Sequence, residues 1–233
     1  MIALVAAGLV VVVVAAAAVF FLTGDDDDGG GGGGGPQRLE VGQIVGGAEA
    51  RPGSDGSLTM VRPGVERPVV EVYGDFACPH CGTFDKMIDP MLKDLAVSGK
   101  AKVIYRPMVV FGEGSEPQYG NSLRAASAMR CLGDGARWLA YQDALYAHQP
   151  ATLSTKGYVP ADLVSYAAPL GVSDPAFRDC VLRQRYAPSV LTTSRAYIAS
   201  GINATPTVRV DGRSLSPSSL GSAEEIRRAI ESG

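Results

Sequence analysis

The sequence predicts a mixed α/β domain ordered as strand, helix, strand, a long helical block, a hairpin and a closing helix. Three observations carry this reading. Val69 to Tyr73 (VVEVY) is a β-branched and aromatic run of the kind that forms a buried strand. Behind it, Phe84, Met87, Ile88, Met91, Leu92 and Leu95 recur at helical spacing. From about Asn121 to Ala199 the pattern stays helical, with breaks near Gly133, Gln149 to Tyr158 and Gly171.

Taken in chain order, residues 1–23 read as a transmembrane anchor. Met1 to Leu22 carries no charged side chain and, at about 1.5 Å per residue, spans roughly 33 Å, enough for a bilayer core. A core helix would need polar positions, and a cleaved signal would need a basic n-region and a small-residue site beyond the apolar stretch. Here Val19 to Leu22 continue the apolar run past Ala15 to Ala18, and no Cys follows for a lipid anchor. A retained anchor is the reading favoured, with orientation uncoded because no Lys or Arg precedes the span. Residues 24–36, with Asp25 to Asp28 and Gly29 to Gly35, form a flexible tether whose root-mean-square reach is about 20 Å. Residues 37–56 are expected to be a poorly ordered lead-in.

The folded domain is expected over residues 57–233. A minor strand is placed near Ser57 to Arg62, then the buried strand Val69 to Tyr73. The helix that follows contains Pro90, which should kink it. Ala101 to Val110 reads as the next strand. The helical insertion covers about 115–200, with Ser173-Asp174-Pro175 opening one of its helices. Thr207 to Val210 and Arg213 to Leu215 form a hairpin through the Asp211-Gly212 turn. Ser222 to Glu225 is a capping box for the last helix.

Net charge excludes one class of function. Of 24 acidic residues four are Asp25 to Asp28, so the chain beyond the tether holds 20 against 21 basic residues and is nearly neutral. Lys and Arg are scattered, which is not the basic footprint of a nucleic-acid binder.

Chemistry concentrates in Phe76-Ala77-Cys78-Pro79-His80-Cys81, at the junction of strand and helix. The first backbone N–H groups of a helix lack internal partners, and the helix dipole adds about half a positive charge there. A thiol at that point loses its proton more easily, and the thiolate is the nucleophile. Pro79 suits the first turn because it has no N–H to leave unsatisfied, and His80 adds a donor or a positive charge nearby. Cysteines three apart at a helix start can close a disulfide. Each unit of thiol pKa depression favours the reduced pair by about 1.4 kcal/mol, or about 30 mV, so Pro-His between the cysteines leans towards an oxidant.

Other readings of the pair are a structural zinc half-site, a haem attachment and an inert disulfide. Zinc needs two further ligands, and Cys131, Cys180 and His148 are isolated. Haem attachment needs His after the second Cys, where Gly82 stands. Thr205-Pro206 is the second element. Alone it reads as an ordinary turn; late in the chain, entering a hairpin, it gains weight from the C-P-H-C motif.

Asp75 to Cys81, the helical block and Ala204-Thr205-Pro206-Thr207 together resemble the DsbA-like family, a thioredoxin fold with an inserted helical block between the redox half and the C-terminal hairpin and helix. The resemblance spans roughly Ser57 to Ser232. It implies that Cys78 attacks or is attacked, that Cys81 resolves, and that Pro206 is a cis residue packed against the disulfide. It implies further that Thr205 offers backbone hydrogen bonds to a bound peptide. The redox group is then the Cys78–Cys81 disulfide itself, with no other cofactor and no metal. Implied partners are unfolded exported proteins with free thiols and a membrane quinone-linked reoxidase, with the domain outside the cytoplasm and monomeric. In such an oxidising compartment Cys131 and Cys180 are expected to be joined as a structural disulfide, as in some members of the family.

One departure from the pattern matters. Thioredoxins carry a buried acid six residues before the first Cys, where this chain has Val72. Glu71 and Asp75 lie nearby but, by strand alternation, are expected to point away from the Val72 face. The leading reading is thus an extracytoplasmic thiol oxidase. A reductase or isomerase on the same scaffold is the alternative, since Thr before the proline also occurs in reducing relatives. A redox-inactive or metal-carrying binding module is the third.

Overall fold

The computed structural model describes residues 46–232. The anchor expected at 1–23 and the tether at 24–36 lie outside them. Among the described residues no helix is long and apolar enough to cross a membrane.

Among the described residues six strands form one sheet. In chain order they are β1 (Glu49–Pro52), β2 (Leu58–Val61), β3 (Val69–Gly74), β4 (Lys102–Pro107), β5 (Thr207–Val210) and β6 (Arg213–Ser214). Their spatial order is β1-β2-β4-β3-β5-β6. Only β3 and β4 are parallel, with Val72 opposite Tyr105, and α1 (Pro79–Val97) connects them. β5 lies antiparallel on the other side of β3, Val208 opposite Val72, so the chain entering β5 is brought beside the start of α1.

Alternation along β3 sorts the two faces of the sheet. Val70 and Val72, with Val103 and Tyr105 of β4, join the main core. α1 contributes Cys81, Phe84, Ile88, Leu92 and Leu95 to it. Tyr73 belongs to a smaller cluster with Met108 and Ile202. Tyr197 of α6 (Ala187–Ala199) packs there edge-on, its ring centroid 5.1 Å from that of Tyr73.

The inserted block between β4 and β5 contains α2 (Gln118–Met129), α3 (Gly135–Ala147), α4 (Pro160–Ala167), α5 (Pro175–Leu182) and α6. Asp134 and Asp174 cap α3 and α5 by accepting from the backbone N–H of Arg137 and Phe177. A disulfide joins Cys131, just after α2, to Cys180 of α5. The closing helix α7 (Ala223–Glu231) is capped by Ser222, whose hydroxyl accepts from Glu225 N–H, and it packs against α1 through buried Ile226 and Ile230.

Three expectations are corrected. Residues 37–56 are not a poorly ordered lead-in throughout, because Glu49–Pro52 is a strand paired with β2. The segment EARP has no β-branched residue; pairing and the burial of Ala50 hold it. α3 presses so closely on Ala50 that a Cβ at Gly135 would collide with that backbone. Second, Pro90 does not interrupt its helix: α1 is continuous through it, and the proline stands on the exposed side where water can take the freed carbonyl. Third, β4 ends at Pro107, three residues short of Val110.

Candidate active site

Cys78 is the N-cap of α1 and Pro79 its first residue, so the Cys78 sulfur sits where the helix presents unpaired N–H groups. Both thiols are free and buried, Cys78 at 7% exposure and Cys81 at 2%. The Thr205–Pro206 peptide is cis. It turns the Thr205 carbonyl to within 3.3 Å of the Cys78 sulfur, where the thiol form donates to it. The Thr205 hydroxyl is buried and has no protein hydrogen-bond partner among the described residues.

The hydrogen-bond donors around the sulfur favour an anion at Cys78. A hydrogen bond from the Cys81 thiol is the largest influence, opposed by burial. The Thr205 hydroxyl and the backbone N–H groups of Cys81 and His80 add to it, and together they bring the thiol from 9.0 down to about 5. Cys81 moves the opposite way, well above the ordinary thiol range, chiefly because it is buried and then because it faces Cys78. One sulfur is therefore a ready thiolate and the other holds its proton.

His80 acts through its backbone. Its side chain is exposed, and among the described residues the ring makes no hydrogen bond. Pro79 is likewise exposed, and its part is to start the helix. A groove of about 460 Å³ runs from His80 and the Thr205-Pro206 turn across Phe84, Met87 and Ile88 to Leu215 and Leu220. Met87 is 55% exposed along it, a large apolar side chain facing water.

Several residues around the sulfurs went unrecognised in the sequence. Asp75 does not point away from the site: β3 ends at Gly74, strand alternation stops with it, and Asp75 is fully buried. Its backbone N–H donates to the Cys81 sulfur at 3.4 Å. Its carboxylate accepts from the Ser122 hydroxyl (2.5 Å), Ala77 N–H (2.8 Å) and Val110 N–H (2.8 Å), tying the redox loop to α2 and to the end of β4. Burial still pushes that carboxyl up to about 7. Gln149, just after α3, donates to the carbonyls of Phe76 and Cys78 at 2.7 and 2.8 Å. Its side chain lies over Gly82, where any Cβ would strike it. The Tyr158 hydroxyl also reaches the Phe76 carbonyl, at 3.2 Å. The helical block thus braces the loop that holds Cys78.

With this geometry in view, comparison with known proteins is decisive. The family model described as thioredoxin matches residues 66–232, most of the chain. The chain belongs to the thioredoxin family. Among solved structures it is similar to the disulfide bond oxidoreductase DsbG of Mycobacterium tuberculosis, at 28% identity and a TM-score of 0.60, covering 79% of this chain and 88% of that one. It is also similar to DsbA of Mycobacterium tuberculosis, at 27% identity and a TM-score of 0.59, covering 79% and 92%. The domain is a DsbA-like thiol–disulfide oxidoreductase, and its redox group is the Cys78–Cys81 pair. A curated relative, the Na(+)/H(+) antiporter NhaA 1 of Salinispora arenicola, is 30% identical over 154 residues, 66% of this chain. The chain spans only 22% of that antiporter's length.

Proposed function

We propose that this protein is an extracytoplasmic thiol–disulfide oxidase that introduces disulfides into exported proteins. The observation that carries the proposal is the placing of Cys78 at the helix start, among donors from Cys81, Thr205 and the first helical turn that hold its sulfur as a thiolate. A pair whose reduced form is stabilised in this way gives its disulfide away. The Cys131–Cys180 bridge supports an oxidising compartment, because structural disulfides persist there and not in a reducing cytosol. The apolar run Met1 to Leu22 supports attachment to a membrane, and it is the bridge that argues for the domain on the outer side.

In this reading an unfolded exported chain lies along the apolar groove beside Met87. Its thiolate attacks the Cys78 sulfur of the oxidised pair, and Cys81 leaves. A second thiolate of the same substrate then attacks its own sulfur in the mixed disulfide, which frees the oxidised substrate and the Cys78 thiolate. Attack by Cys81 at that stage returns the substrate still reduced. A membrane quinone-linked partner reoxidises the pair.

Equilibration of the full chain with glutathione redox buffers tests the direction. The expected reduction potential lies nearer that of DsbA, about −120 mV, than that of thioredoxin, about −270 mV. A potential at the thioredoxin end would make the protein a reductase.

A further inference from the structure

The resolving cysteine must lose a proton before it can attack and regain one when it leaves, yet the strand position facing it is Val72. We infer that Asp85 takes and returns the Cys81 proton, across a small cavity that both side chains line. The inference deepens the proposed function and rests on it.

The cavity lies behind Cys81 and is bounded by Val72, Phe84, Asp85, Tyr105, Gln142 and Tyr146, among others. At about 20 Å³ it has room for one water. Asp85 follows Cys81 by one helical turn on α1, and side chains four apart on a helix have Cβ atoms about 5–6 Å apart. A single water in the cavity is the route inferred between thiol and carboxylate.

Hydrogen bonding separates Asp85 from the other acids nearby. Glu71 lies on the opposite face of the sheet, held by Arg106 at 2.8 Å. Asp75 already accepts three hydrogen bonds. Asp89 accepts from the Tyr105 hydroxyl at 2.6 Å and pairs with the Lys93 ammonium at 2.7 Å, so its oxygens are already engaged. Asp143 shares that ammonium, also at 2.7 Å, and is half exposed. Among the described residues Asp85 has only a long contact from Gln142, at 3.5 Å, which leaves its oxygens for the cavity.

Its charge environment suits proton exchange near neutrality. Burial, then the charges of Asp89 and Asp143, push the Asp85 carboxyl up to about 7, with Lys93 and the Gln142 amide pulling the other way. Tyr105 and Arg106 of β4 and Tyr146 of α3 complete the titratable groups lining the cavity. Tyr105 and Tyr146 are buried and shifted well above the ordinary tyrosine range, so they stay neutral.

The step balances as follows. In a mixed disulfide on Cys78 the Cys81 S–H proton passes to the Asp85 carboxylate. The Cys81 sulfur attacks the Cys78 sulfur, the Cys78–Cys81 bond forms, and the bound sulfur leaves as a thiolate. In the reverse direction Cys81 leaves as a thiolate and the Asp85 carboxylic acid protonates it.

The test uses full-length reduced protein, glutathione disulfide as oxidant, and acid quenching with mass analysis to follow the Cys78 adduct. In Asp85→Asn the formation of the adduct keeps its wild-type rate. Its resolution slows by about tenfold or more at pH 7, loses its inflection near neutrality, and catches up with wild type above about pH 9, where hydroxide serves as base. Asp85→Glu restores most of the rate. Resolution unchanged in rate and pH profile in Asp85→Asn would overturn the inference, as would equal slowing of both steps, which marks a structural role. If wild type formed no adduct, the oxidoreductase reading itself would fall, and this inference with it.

Discussion

Replacing Cys81 with serine reduces disulfide transfer by more than about 100-fold and leaves a substrate sulfur bonded to Cys78. The reason is geometric. Cys81 is 2% exposed and lies behind Cys78, so an incoming sulfur reaches Cys78 alone. Serine keeps a hydroxyl in the place of the thiol whose hydrogen bond contributes most to the Cys78 thiolate, so the nucleophile survives. What is lost is the partner for the internal disulfide. Incubating Cys81→Ser with a reduced, unfolded protein and its mixed disulfides, then separating the products without reductant, should show adducts on Cys78. Retained turnover, or no adduct at all, would show that the pair does not work in this order.

The second large effect is on stability. The Cys131–Cys180 bridge closes a loop with a sequence separation of 49. In the chain-entropy model a loop of that length stabilises the fold by about 4 kcal/mol, through constraint of the unfolded chain. The bridge ties the end of α2 to α5, and α2 carries Ser122, which holds Asp75. Cys131→Ser/Cys180→Ser is expected to lower Tm by about 8–16 °C for a domain of this size. Calorimetry of the double variant checks this. Once folded below that temperature, the variant should keep its Cys78 reactivity, because neither sulfur touches the redox loop. A shift under about 2 °C would mean that the helical block needs no such constraint.

Much of the site was legible because its signals are local. A β-branched strand running into Cys78-Pro79 places a thiol at a helix start whatever the rest of the chain does. Thr205-Pro206 before the Asp211-Gly212 hairpin was likewise readable, and the register of β5 on β3 explains why it ends beside Cys78. Asp75 was misread because strand alternation was carried one residue beyond β3. Gln149 could not have been found from its own surroundings; Gly82, a side-chain-free position directly after Cys81, was the only trace of its approach. Asp85 did leave a signal. It lies with Asp89 on the stripe otherwise formed by Cys81, Phe84, Ile88 and Leu92, and carboxylates on a buried helical face call for an explanation. β1 was missed because its residues have no strand preference of their own and depend on β2.

The most direct measurement is the titration of Cys78 itself, by thiolate absorbance and by the rate of its alkylation with iodoacetamide in the reduced full chain. A depressed thiol is ionised above its folded pKa and loses that charge as pH falls through it. Reactivity should therefore hold from neutrality down to about pH 5 and then decline. A sulfur that becomes reactive only near the ordinary thiol value of 9.0 would contradict the account.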